Sequence, residues 1–320
     1  MDVLILGYSD IVRRRVLPAL LEIEGVRKIH VATGRVGLKV DIPVDKQGGI
    51  IHGYEAALNE CHPCLAYISL PNHLHGYWVK KALLNGFHVV VDKPAFLSEL
   101  DRDEALSIAK KRNLCLAEAV VWPYHDQISA LKGIIKTIGS EIHAIQSIFS
   151  IPPMPSTNFR NDPASGGGAF NDLGAYAVSV GRIFFEASPI DLRCRVTTRD
   201  PHTKLNTGFV FDTFYDNGKI FQGFFSFGTE YRNSVLILGD KISAELNPAF
   251  TAGTTAETNI TMRTSNETKN YVIPGCDMFG VFLNSIFSTL ENKKFNHWAD
   301  ILKKDSDIFF MAAQTIKELK

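Results

Sequence analysis

In the first third of the chain, short runs rich in Val and Ile alternate with stretches of helical apolar spacing, the pattern of a parallel sheet built from βαβ units. Residues 3–6 predict the first strand, 11–21 a helix and 28–32 the second strand. Residues 64–70 follow as a buried strand, 77–85 as a helix closed by Gly86, 88–91 as a strand, 101–112 as a charged helix and 114–119 as another strand. That order is a Rossmann-type domain. Beyond about residue 120 the period changes to strict alternation. Phe209, Phe211, Thr213 and Tyr215 share one face, Asp216-Asn217-Gly218 supplies a hairpin turn, and Phe221, Gly223, Phe225 and Phe227 share a face of the returning strand. Residues 235–238 and 243–246 extend this sheet around Gly239-Asp240. A glycine run at 166–168 precedes a helical stretch over 169–185, and two helices, 279–291 and 307–319, end the chain around the short segment 293–302. The predicted class is α/β: a dinucleotide-binding Rossmann domain over 1–120, then a C-terminal α/β domain over 121–320 with a large, mostly antiparallel open sheet. The second domain is expected to carry the substrate and subunit contacts, with its last helix as a candidate to pack back on the first.

Composition narrows the function. At 320 residues, with 45% hydrophobic and 21% charged positions, the chain is a globular protein longer than one ordinary domain. Thirty-four basic residues balance thirty-four acidic ones, which argues against a nucleic-acid surface or an anionic-membrane surface and for small-molecule partners. Met1-Asp2 leads straight into Val3-Leu4-Ile5-Leu6-Gly7, too short and lightly flanked for export, and no stretch is long enough to span a bilayer. Five cysteines make a disulfide framework improbable, so a reducing cytoplasm is expected. Cys61-His62-Pro63-Cys64 lacks a second ligand pair and the histidines are scattered, so no metal is implied. The acceptor triplets at Asn259 and Asn266 are common by chance and need secretion.

A strand running into Gly7-Tyr8-Ser9-Asp10-Ile11-Val12 and then a helix is where a dinucleotide fold places its phosphate loop. Gly7 suits the tight turn, but Ser9 and Val12 stand where the second and third glycines belong. Taken alone, the motif does not separate this loop from an ordinary strand-loop-helix turn. The N-terminus of the following helix suits an anion, and Arg13, Arg14 and Arg15 add positive charge or form a solvated face. The second strand ends at Ala32-Thr33-Gly34-Arg35, with a hydroxyl and a guanidinium where an NAD site offers a carboxylate to the ribose. NADP(H) is therefore preferred, Arg35 pairing with a 2′-phosphate, and NAD(H) is the alternative.

Three further segments sharpen the reading: Leu70-Pro71-Asn72-His73-Leu74-His75 with Trp78, Asp92-Lys93-Pro94-Ala95, and Gly166-Gly167-Gly168-Ala169-Phe170-Asn171-Asp172-Leu173-Gly174-Ala175-Tyr176. In this order they resemble the Gfo/Idh/MocA oxidoreductases over nearly the whole chain. Gly7 to Arg14, Leu17-Pro18-Ala19-Leu20, Phe227-Gly228 with Tyr231, and Glu245 look most like the branch of nucleotide-sugar 3-ketoreductases. Two departures stand out. Asp92 replaces the usual Glu before Lys-Pro, and the segment from Arg35 to His52 is too short for a second βαβ helix.

The resemblance implies hydride transfer between the nicotinamide and a keto group of a nucleotide-linked sugar. It makes Lys93 the electrostatic stabiliser of the substrate oxygen, Tyr176 the proton donor, and Asp172, one helical turn earlier, the group that orients Lys93 or a sugar hydroxyl. Gly7, Tyr8, Ser9, Asp10, Ile11, Thr33 and Arg35 would hold the adenosine end of the cofactor. Leu70, Pro71, Asn72, His75, Asp92, Lys93 and Pro94 would cradle the nicotinamide end, where His75 could also cap the next helix. Tyr124, His125 and Arg160 would join Lys93, Asp172 and Tyr176 around the substrate, with Glu118 near the hinge. A homodimer or homotetramer through the open sheet is expected. Two alternatives remain: a dehydrogenase of a free sugar, an inositol or a sugar acid, and a non-catalytic sensor of the same fold.

Overall fold

The computed structural model describes residues 1–318, which divide into two compact units. One comprises Met1–Val120 with Phe279–Lys303, the other Val121–Met278 with the residues from Lys304 onward. The 279–303 stretch therefore belongs with the first unit rather than with the second, where the strand and helix pattern had placed it.

The first unit is built on a six-stranded parallel sheet in the order β3-β2-β1-β4-β5-β6. Its strands are β1 (Val3–Leu6), β2 (Ile29–Thr33), β3 (Gln47–His52), β4 (Leu65–Ile68), β5 (His88–Val91) and β6 (Leu116–Glu118). The four residues of β1 and the four of β4 are wholly buried, as expected of strands covered on both faces, and this is why they read as continuous apolar runs. The first helical segment is π-helical over Val12–Val16 before it tightens into α1 (Leu17–Glu22). No helix separates β2 from β3, in keeping with the shortened segment; α2 (Tyr54–Glu60) follows β3 instead. β3 carries little apolar alternation because Gly48 lies flat against the His30 ring, where a Cβ would come within 2.7 Å. The next helix, α3 (Asn72–Leu84), begins five residues earlier than its apolar spacing shows, with Pro71 at its N-cap. α4 (Glu99–Arg112) starts where the Ser98 side chain accepts from the Asp101 amide, and ends at Asn113 in a left-handed conformation after Lys110-Lys111-Arg112.

In the second unit, α5 (Asp126–Ile138), β7 (Ile142–Ile151) and α6 (Ala169–Phe184) precede β8 (Asp191–Arg199), β9 (Asn206–Phe214), β10 (Ile220–Phe227), β11 (Arg232–Gly239), β12 (Ser243–Leu246), β13 (Thr258–Arg263) and β14 (Thr268–Ile273). Two helices, α7 (Met278–Asn292) and α8 (Asn296–Thr315), and the short β15 (Lys317–Glu318) close the described chain. The sheet order is β14-β13-β12-β11-β7-β10-β9-β8-β15. It is mostly antiparallel, with parallel pairings at β7–β10 and β8–β15. The predicted hairpin is present, its turn carried by Asn217 at φ 61° and Gly218 at φ 72°. Phe209, Phe211, Phe221 and Phe225 are all buried, with Phe209 stacked on Phe225 at 5.1 Å, and α6 packs on β9 and β10.

α8 begins eleven residues before the predicted 307, and the predicted end at Leu319 lies outside the described residues. Its buried stripe is Trp298, Leu302, Asp305, Phe309 and Ala312, spaced three or four apart, and a carboxylate in the middle hides the apolar period from the sequence. Asp305 takes a bidentate pair from Arg182 of α6, at 2.7 Å on each oxygen. Burial pushes the Asp305 carboxyl above its usual range and Arg182 opposes that rise. A paired buried charge of this kind stabilises little against an apolar pair, but breaking it strands a charge. Arg182→Leu should cost about 3 kcal/mol in urea unfolding, and Arg182→Leu combined with Asp305→Leu less than that single change.

Candidate active site

The parallel register of the first unit puts Leu6, Ile68, Val91 and Glu118 side by side, with Ala32 beside Leu6. One residue further on, Thr33, Gly7, Ser69, Asp92 and Ala119 form a row along the carboxyl edge of the sheet. The ladder continues through Gly7 N–H to Ala32 O at 3.0 Å, Ser69 N–H to Leu6 O at 2.9 Å, Asp92 N–H to Ile68 O at 2.9 Å and Ala119 N–H to Val91 O at 2.8 Å. This is the edge at which open α/β sheets bind ligands. Gly7 sits at φ 91°, and a Cβ there would fall on the Ser69 carbonyl and the Leu70 side chain, so glycine alone fits. Ser9 caps the helix: its hydroxyl oxygen accepts from the Val12 amide at 3.2 Å and its carbonyl from Arg13. Asp10 is exposed and pairs with both Arg13 and Arg14, at 2.6 and 2.8 Å. Thr33 is buried and accepts from the Arg35 amide at 3.0 Å, while the Arg35 side chain is exposed.

Around Lys93 the strand ends are tied together by buried polar groups. The Asp92 carboxylate accepts from the Tyr67 hydroxyl at 2.6 Å and from the Ser69 hydroxyl. Glu118 accepts from the Ala95 amide at 2.8 Å, and the Lys93–Pro94 peptide is cis. His75 neither caps a helix nor exposes its ring. Its Nδ1 and Nε2 lie 2.8 Å from the Pro94 and Leu70 carbonyl oxygens respectively, and the side chain is 1% exposed. It braces the loops after β4 and β5 against each other. Pro71 starts α3, and Asn72 is buried in its first turn.

In the second unit the glycine run is a packing requirement. A Cβ on Gly167 would strike the Arg160 and Asp162 carbonyls, and Gly168 at φ 103° leaves room for the Asn206 side chain. Asn206, from β9, accepts the Phe170 amide at 2.7 Å and so caps α6 from across the sheet. With the helix start fixed, Asp172 is buried and paired with Arg160 at 2.9 Å. Tyr176, half-buried one turn later, packs edge-on to Phe149 at 5.1 Å and against Phe250 at 5.2 Å. Burial pushes the Tyr124 phenol up to about 12, Arg182 opposing. His125 is 1% exposed; its Nδ1 accepts from the Gln127 amide at 3.1 Å as the N-cap of α5, which leaves the proton on Nε2. Arg160, from the turn before α6, and Asp172, in its first turn, are thus brought together, with Tyr176 one turn further along the helix; Lys93 belongs to the first unit. Sequence reading missed Tyr67, Ser69 and Asn206. Nothing local marks them, since Tyr67 and Ser69 acquire their partner through strand register and Asn206 acquires its own by the packing of α6 on β9.

Residues 2–120 match the oxidoreductase family with an NAD-binding Rossmann fold, and residues 136–245 match the C-terminal domain of the same Gfo/Idh/MocA group. The chain belongs to the Gfo/Idh/MocA oxidoreductase family. It is 32% identical over 174 residues to a dTDP-3,4-didehydro-2,6-dideoxy-alpha-D-glucose 3-reductase of Streptomyces antibioticus, a match covering 54% of this chain and only 53%, about half, of that enzyme. The reductase of the same name from Actinomadura kijaniata is 26% identical over 277 residues, 86% of this chain and 83% of that protein. The fold is that of the Actinomadura kijaniata 3-ketoreductase solved with NADP and TDP-benzene, with a TM-score of 0.91 at 22% identity over 100% of this chain and 98% of that one.

In this family member three histidines, His75, His88 and His125, are held below the usual imidazole value of 6.5, in each case chiefly by burial. The folded state then binds fewer protons than the unfolded chain once the pH falls below 6.5, so stability is full above that value and declines as the pH drops through the folded pKa values. Melting temperature should fall between pH 7.5 and pH 5.5. His125→Asn, which keeps an N-cap, should flatten that fall; a protein that gains stability on acidification would contradict the burial argument.

Proposed function

We propose that the protein is an NADP(H)-dependent reductase of a keto group on a nucleotide-linked sugar. The observation that carries this is the in-register row Gly7, Ser69, Asp92 at the carboxyl edge, with Lys93 directly after it. The row joins a phosphate-loop turn to a lysine in the arrangement that hydride transfer to a carbonyl needs.

The residues fit a dinucleotide. Gly7 admits close backbone approach, and the Ser9 side chain is folded back onto Val12 and Ser69, so it does not fill the space a glycine would leave. Exposed Arg35 beside Thr33, with no carboxylate at the end of β2, favours a 2′-phosphate over a bare ribose. When bound, the reduced nicotinamide supplies the hydride to the carbonyl carbon. Lys93 places an ammonium against the carbonyl oxygen and stabilises its growing negative charge, and Tyr176 delivers the proton to that oxygen. Asp172, held by Arg160, orients a sugar hydroxyl or Lys93, and Arg160 carries positive charge suited to a diphosphate. Tyr124 is the proposed contact on the substrate side, while the buried His125 ring next to it holds the start of α5. The names of the relatives, dTDP-sugar 3-reductases, support a nucleoside-diphosphate-linked keto-sugar as substrate.

Lys93→Ala should lower turnover about 10³-fold and Tyr176→Phe about 10²-fold, with NADPH affinity changed only a few-fold in a fluorescence titration. NADPH should outperform NADH in kcat/KM on a panel of keto-sugar nucleotides. Turnover confined to free sugars would transfer the assignment to a sugar dehydrogenase, and tight cofactor binding without turnover would transfer it to a sensor.

The open face of the second sheet sets Ile148, Phe224 and Val210 side by side in register, with Ile148 41% exposed. Such a patch is costly to leave wet, which supports a homodimer or homotetramer. Sedimentation at micromolar concentration should show an oligomer, and Ile148→Glu should shift it toward monomer.

A further inference from the structure

We infer that Ser9, Ser69 and Asp92 act as one directed hydrogen-bond relay that sets cofactor affinity. The direction follows from proton counting. The Tyr67 hydroxyl has one proton and gives it to Asp92 Oδ1 at 2.6 Å; the Ser69 hydroxyl gives its proton to Asp92 Oδ2. Ser69 therefore has only lone pairs to offer Ser9, whose hydroxyl lies 2.7 Å away and must be the donor. Ser9 in turn accepts from the Val12 amide at 3.2 Å. The chain runs one way, from Val12 to Ser9 to Ser69 to Asp92, and ends at the residue before Lys93.

Two departures from the motifs then have one cause. The side chain at position 9, where a glycine is expected, is drawn down onto the sheet edge by Ser69 and leaves the mouth of the loop clear. The carboxylate at position 92, one methylene shorter than glutamate, reaches Ser69 because the two are in-register neighbours, one step past the Ile68–Val91 pair. A glutamate would carry the carboxylate beyond that row. Because the Ser9 proton is already committed to Ser69, a diphosphate at the loop must be recognised by main-chain amides and nearby arginines, and the serine acts as a positioning residue.

This inference rests on the cofactor reading proposed above, and its test separates the two. NADPH dissociation constants and urea midpoints are measured for Ser9→Ala, Ser69→Ala, Asp92→Asn and the Ser9→Ala/Asp92→Asn pair, with Ser69→Thr as the conservative variant. Each alanine or asparagine change should weaken NADPH binding about 3- to 10-fold, and the pair by no more than about twice the larger single effect, since one broken link already breaks the relay. Ser69→Thr should stay within about twofold of the parent. If Asp92→Asn does not fold, the Ser9→Ala/Ser69→Ala pair closes the same cycle. Multiplying effects in the pair, or an unchanged dissociation constant in Ser9→Ala, would overturn the relay. Turnover enters neither outcome, so a failure of the sugar assignment leaves this test standing; a parent protein that binds no NADPH would overturn both.

Discussion

The parallel ladder of the first unit governs the chemistry of that unit. Four peptide N–H groups extend it one step past the regular strands, at Gly7, Ser69, Asp92 and Ala119, and so fix which side chains stand next to one another at the carboxyl edge. A slip of one residue in any strand would exchange the row for one whose side chains point to the opposite face. The wholly buried residues of β1 and β4 oppose such a slip through shape, because each side chain is packed into its own place in one of two apolar layers. Core packing thereby specifies polar geometry several ångströms away, and Ser9, Ser69, Asp92 and the His75 brace are consequences of it.

The second unit solves a similar problem with backbone rather than register. A helix that starts in a loop has free amides and an uncertain first turn. Here the Gly166–Gly168 run lets the chain fold tightly over the Arg160 and Asp162 carbonyls, and a side chain from β9 supplies the cap. The helix start is thereby anchored to the large sheet. Asp172, buried and paired with Arg160, and Tyr176, packed against the stacked rings of Phe149 and Phe250, inherit that anchoring. Precise placement of a helix start needs a partner distant in sequence, and Asn206 is 36 residues from the amide it caps.

Much of the fold was legible because burial and period agree. β5 and β12 were read with the observed bounds, and the hairpin between β9 and β10 was announced by alternating phenylalanines around an Asn-Gly turn. What escaped was hidden by local exceptions to the pattern. β3 opens on Gly48, which lies against the His30 ring, and on Gly49 at φ 132°, so its first half carries no apolar residue, and the start of α8 was masked by Asp305, a charge buried in an apolar stripe. For the site, short motifs and the family resemblance led to Gly7, Lys93, Asp172 and Tyr176. The supporting groups Tyr67, Ser69 and Asn206 were invisible, since a serine or tyrosine in a strand announces nothing until the neighbouring strand is known. The helix-cap role expected of His75 is not seen, because its ring lies between two backbone carbonyl oxygens, a placement that nothing in the sequence near a helix start announces.

The proposed chemistry has the Lys93 ammonium and the Tyr176 phenol serve one carbonyl oxygen. A crystal structure with NADPH and a nucleotide-linked keto-sugar, or an unreactive analogue of one, tests it most directly. The proposed chemistry predicts Lys93 Nζ and Tyr176 Oη each within about 3.2 Å of the same ligand oxygen. A complex in which either group lies more than about 6 Å from that oxygen, beyond direct or single-water reach, would contradict it.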